Sequence, residues 1–144
     1  MTSTTIPAAT ASEPSSTATV SRARLWTGRV LSTLAVLFLA MDGVMKLIKP
    51  DVVVQGTVVL GFPESTITGT GIALLACVLI YVIPRTTLLG AILLTGYLGG
   101  AVATHVRVGN PWMSHILFPG YVALLIWGGL CLRQPRLLAL CLGR

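Results

Sequence analysis

Polar and charged residues fall in bursts along this chain, and the stretches between them are apolar on every face. The first such stretch runs from about Leu25 to Ile48, uncharged from Val30 to Met41 and then interrupted by Asp42 and Lys46. The others are Ser65 to Ile83, Thr86 to Thr104 and Ile116 to Leu132, none holding a charge. With their flanks they make four segments, about 25–48, 64–83, 86–106 and 112–132. Each supplies about 20 residues, enough to cross about 30 Å of hydrocarbon as a helix. Backbone in lipid must satisfy its own hydrogen bonds, which selects helix over isolated strand. A soluble helical core would need a polar face on every segment, and the second and third have none. The pattern predicts an all-α integral membrane protein, a four-helix transmembrane bundle.

The connectors support the same layout. Ile83-Pro84-Arg85-Thr86 reads as a tight turn, because Pro84 disfavours helix at Ile83 and can open the next one. The longest connector, KPDVVVQGTVVLGFPE at 49–64, is valine-rich and has strand propensity. A lone strand at a membrane surface leaves both edges unpaired, so a short interfacial helix is expected between the first two spans. Pro50 and Asp51 suit its start and Gly61 its exit. Asn110-Pro111 suits the start of the fourth span, and Pro119 inside that span removes the bond to the carbonyl of His115 and should kink it. Residues 1–21 are mostly Thr, Ser, Ala and Pro with one charge, Glu13, and no apolar run follows Met1. They read as a disordered tail, not a signal peptide. The membrane domain is expected over 22–136, with 137–144 a short C-terminal tail.

Composition closes off the soluble classes. Hydrophobic residues make up 54% and charged residues 10%, against about 25% charged in an ordinary soluble domain, and the mean hydropathy is +0.87. The net charge of +6 is carried by scattered single cations, which fits anionic lipid headgroups and not a nucleic-acid stripe. With four crossings, Arg22, Arg24, Arg29, Arg85, Arg133, Arg136 and Arg144 share one side, and Lys46, Lys49 and Arg107 the other. Seven against three predicts both termini in the cytoplasm. Cys77, Cys131 and Cys141 include no C-x-x-C pair, which argues against a self-contained dithiol redox engine.

Candidate chemistry gathers at the opposite, outer end. Asp42 and Lys46 stand four apart on one helical face, Asp42 roughly 9 Å inside the first span. An intramembrane carboxylate costs several kcal/mol unless paired or wetted. The pair is therefore either self-neutralising, with Lys46 reaching for the interface, or part of a polar pocket. His105 and Arg107 end the third span on that side, and His115 begins the fourth. Tyr97 lies two helical turns before His105, with Ala101 between them. Asp42, Lys46, Tyr97, His105, Arg107 and His115 are thus the candidate ligand-binding set, with an interfacial belt of polar residues as the alternative reading. Neither a haem nor a zinc site is marked, and no metal or catalytic set is assigned. Gly96, Gly99, Gly100 and Ala103 give the third span a small-residue face suited to close helix packing, within the chain or between two copies. No catalytic triad order, carboxylate pair or phosphate loop stands out, so a stand-alone enzyme is not expected.

The residues from about Arg29 to Arg136 resemble the DoxX-like family of small bacterial membrane proteins. The matching stretches are GVMKLIKPD (43–51), LGFPE (60–64), IPRTTLLGAILLTGYLGGAVATHVRVGNP (83–111) and HILFPGYVALLIWGGLCLRQP (115–135). The resemblance implies a four-helix bundle in the bacterial inner membrane. It implies an auxiliary subunit of a membrane redox or stress-response assembly, with no cofactor of its own and quinone as the candidate contact. Two other functional expectations stand beside it. One is a small-molecule binding or transport module, for a lipid or quinone-like molecule, whose outer pocket holds a polar head. The other is a scaffold or assembly factor docking a partner helix. The expected partners are the lipid bilayer and a redox protein or second copy, and no nucleic acid.

Overall fold

The computed structural model describes residues 21–135 together with 137, 139 and 143. The tail expected at the N-terminus, most of the one after residue 136, and Cys141 lie outside the described residues. Within them the chain is helical: α1 (Arg22–Ile48), α2 (Asp51–Val59), α3 (Ser65–Val82), α4 (Thr87–Arg107) and α5 (Leu117–Arg133), the last preceded by a π-turn at Trp112–Ile116. Four of these are long and apolar enough to cross a membrane: α1, α3, α4 and the continuous run Trp112–Arg133. The fourfold apolar patterning is therefore realised as an all-α bundle.

Around the bundle the spatial order is α1, α3, α4, α5, each helix packing on its two neighbours. The core is a single column of apolar side chains, among them Ala35, Leu39, Leu74, Leu94, Ile126 and Leu130. Large apolar residues such as Leu37, Leu79, Ile92 and Leu124 face outward, as lipid-facing positions do when the surrounding solvent is hydrocarbon.

Glycines set where helices touch. A Cβ on Gly28 would lie 2.9 Å from the Gly129 carbonyl oxygen, which brings α1 and α5 into backbone contact. A Cβ on Gly71 would lie 3.1 Å from the carbonyl oxygen of Gly43, which does the same for α1 and α3. A Cβ on Gly90 would collide with the backbone of Tyr81, across the α3–α4 turn. The packing role expected of Gly96, Gly99, Gly100 and Ala103 within the chain is not found. A Cβ on any of these three glycines meets nothing within 4 Å, and Ala103 is exposed. The spacing correctly marks a bare helix face, but no neighbouring helix is drawn onto it.

A polar clasp closes the end away from α2. Ser32 on α1 and Tyr81 on α3 share a hydrogen bond of 2.9 Å, and the Tyr81 hydroxyl donates to the carbonyl of Ile126 on α5. Arg133 donates to Ser32 Oγ at 2.8 Å and to the carbonyl of Gly129. No side-chain polar atom of this clasp is both buried and without a partner, so placing it in apolar surroundings carries no orphan penalty.

The connectors follow their local chemistry. α1 ends on Lys49 in the left-handed conformation (φ 53°), and Pro50 then forces the chain away. α2 is the short helix expected after it, and it ends in a Schellman arrangement. Gly61 sits at φ 82°, its N–H bonds Val58, and the Phe62 N–H bonds Thr57. None of the residues of α2 is buried. The irregularity expected around Pro119 appears as the π-turn. The Leu117 N–H reaches five residues back to Trp112, and Pro119 falls in the first turn of regular helix, where its missing N–H is tolerated.

Candidate functional site

At the end of the bundle that carries α2, the four long helices do not close completely. They leave a cavity of about 490 Å³, within the range of sites that hold small organic ligands. Each wall follows from helical spacing. Phe38, Asp42 and Lys46 recur every fourth residue along α1. Thr66 and Thr70 do the same on α3. α4 contributes two adjacent ridges, Gly96–Gly100–Thr104 and Tyr97–Ala101–His105. Phe118, Pro119 and Val122 come from α5, and Thr57, Leu60 and Phe62 approach from α2 and its exit.

The lining is mixed. Its apolar share includes the buried Leu39, Leu98 and Val122 with Phe38 and Phe118, whose rings meet edge to face at 5.1 Å. The polar groups stand on the same wall. Asp42 and Lys46 form a salt bridge across one turn of α1. His105 Nδ1 lies 2.8 Å from Asn110 Nδ2. An amide nitrogen is a donor, so Nδ1 accepts and the neutral ring carries its hydrogen on Nε2. Gly96 and Gly100 contribute open space, since no side chain leaves the wall at those positions.

Of the six residues singled out in the sequence, the structure brings Asp42, Lys46, Tyr97 and His105 to this cavity. Arg107 and His115 share that end of the bundle but stand outside the wall. The Arg107 guanidinium donates to the carbonyl of Leu60 at 2.7 Å and lies over the Phe62 ring, 5.8 Å from its centroid. It thereby ties the end of α4 to the exit of α2. The His115 ring lies beside that of His105, centroids 5.4 Å apart and planes tilted by 59°, and its Nδ1 is 2.7 Å from Ser114 Oγ. Each histidine has one ring nitrogen already engaged. Among the described residues no group of three or more His, Cys, Asp or Glu side chains could hold a metal ion.

Sequence reasoning missed Thr66, Thr70 and the two phenylalanines. The threonine spacing was visible, but α3 lacks any charge to draw attention to it. Phe38 was legible only as the residue one turn before Asp42.

Arg107→Ala should free α2 without unfolding the bundle. A hydrogen bond to a charged donor contributes about 1.5–3 kcal/mol, and exposure lowers that here. Hydrogen exchange should accelerate severalfold at the amides of 52–62 and stay unchanged in α3 and α5. Equal exchange in variant and wild type would remove the tether.

The family model described as the DoxX-like family matches residues 30–129, which takes in most of α1, all of α2 to α4 and most of α5. No curated protein and no solved structure matches the chain.

Proposed function

The chain belongs to the DoxX-like family, and on that footing we propose that it is a binding module for a small amphipathic molecule in the membrane. The observation that carries the reading is the cavity's mixed lining, apolar side chains beside the polar groups of Asp42, Lys46, Tyr97 and His105. An amphiphile fits it with its tail among Phe38, Leu98 and Phe118 and its head beside the salt bridge. The chain is a multi-pass membrane protein. In our reading it lies in a bacterial inner membrane with both termini in the cytoplasm, so the cavity falls in the outer leaflet; the seven-to-three distribution of cations supports this.

Purification in mild detergent followed by native mass spectrometry tests the reading. Wild type should retain a small molecule, and Gly96→Leu and Gly100→Leu should each lose it. A new side chain there meets no atom on entry, and leaving glycine for leucine improves helix propensity by up to about 1 kcal/mol. The variants should therefore be as stable as wild type and merely filled. Equal retention in wild type and both variants would defeat the proposal.

The family resemblance supports a second reading, an auxiliary subunit of a membrane redox or stress-response assembly in contact with quinone. A stoichiometric protein partner in the same preparation, with no small molecule, would favour it. A scaffold role, or a homodimer through the open Gly99–Ala103 face, would appear as a partner whose binding survives filling of the cavity.

A further inference from the structure

The class of head group follows from which polar atoms of the cavity are already occupied. The charges come first. Among the described residues Asp42 and Lys46 are the only acidic and basic side chains in the wall, and they pair with one another. Arg107, another cation at this end, is committed to the Leu60 carbonyl. An incoming anion would meet Asp42, and an incoming cation would meet Lys46. Either would lose its hydration without gaining a net opposite charge.

The hydroxyls come next. Thr57 donates to Val53, Thr66 to Pro63, Thr70 to Thr66 and Ile67, and Thr104 to Gly100, all backbone carbonyls of their own helical turns. Their hydrogens are spent, and each presents only lone pairs to the cavity. The Tyr97 hydroxyl has no partner among the described residues, nor have His105 Nε2 and the second carboxylate oxygen of Asp42, Oδ1. The cavity therefore offers neutral donors from Tyr97 and His105, and acceptors from Asp42 Oδ1 and the threonines.

We propose that the cavity selects an amphiphile whose head is uncharged and carries both a hydrogen-bond donor and an acceptor, as in a monoacylglycerol, and discriminates against charged heads. The proposal rests on the reading of the cavity as a binding site. It adds that the Asp42–Lys46 pair acts as a charge filter: each member cancels the preference the other would impose.

Three probes sharing one alkyl chain test this on the full chain in phosphatidylcholine nanodiscs: 1-monolauroylglycerol, dodecylamine and dodecylsulfonate. Wild type should bind the glyceride about tenfold or more tightly than either charged probe. Asp42→Asn leaves Lys46 unopposed and should move the preference to the sulfonate. Lys46→Gln leaves Asp42 unopposed and should move it to the amine. Tyr97→Phe should weaken glyceride binding severalfold without changing the ranking. A wild type that prefers a charged probe overturns the proposal and leaves the binding site standing, as do variants that keep the wild-type ranking. Should either charge variant fail to insert, the wild-type ranking alone decides. Binding of all three probes that is absent, or unchanged in Gly100→Leu, overturns the binding site itself.

Discussion

Gly129→Val is expected to leave the bundle without a stable α1–α5 pairing. A Cβ at Gly129 would lie 2.3 Å from the Ser32 hydroxyl and 2.9 Å from both the Ser32 backbone nitrogen and the carbonyl oxygen of Gly28. Two of those atoms are backbone, so no rotamer change relieves the collision. The helices must separate, and separation pulls Ser32 and Arg133 out of the clasp with Tyr81. Overpacking costs about 1–3 kcal/mol when side chains can adjust. With backbone in the way and a buried hydrogen-bond network opened, the top of that range is the minimum, against about 5–15 kcal/mol for the whole fold. Thermal unfolding in detergent should show the transition lowered by many degrees. Gly100→Val, with open space around its Cβ, should melt with wild type. Matching curves for Gly129→Val and wild type would mean that α1 and α5 do not approach in this way.

The second large effect is asymmetric. Lys46→Met strands the Asp42 carboxylate below the polar boundary, and a lone acid there costs about 2 kcal/mol. Asp42→Asn removes the other partner and should cost less, because the new amide keeps an acceptor oxygen beside the Lys46 ammonium. In the double variant the stranded charge is gone, so most of the loss should return. A double-mutant cycle on unfolding in detergent or bilayer reads the coupling directly. Additive losses would show that the two side chains do not stabilise one another, and the paired geometry would then have no energetic meaning.

The spans were legible because lipid imposes one rule on every segment: uninterrupted apolar surface and internally bonded backbone. α2 was legible through Pro50, Asp51 and Gly61, which mark a helix start and exit whatever lies between them. The site was legible only by end. Topology collects Asp42, Lys46, Tyr97, His105, Arg107 and His115 at one end of the bundle, but it carries no information on where each side chain turns. Arg107 turns to α2 and His115 lies tilted beside His105, while the other four line the cavity. The glycines show the same limit from the other direction. Gly96 and Gly100 have the spacing of a packing motif, whereas the tight crossings fall at Gly28, Gly71, Gly90 and Gly129. Spacing says that a face is bare, and only the partner helix says whether anything fills it. Arg133 was read as one more topological cation. Its second role in the clasp depends on Ser32 and Tyr81, 101 and 52 residues away in sequence, a separation no local pattern encodes.

α2 has apolar valines, no buried residue, a left-handed residue at Lys49 on one side and the Arg107 tether on the other. Few contacts of its own hold it, while Thr57, Leu60 and Phe62 of this segment and its exit line the cavity. On the binding reading, lipid packing would then set how readily α2 gives way, and the same polypeptide is expected to capture its guest at different rates in micelles, thin vesicles and thick ones.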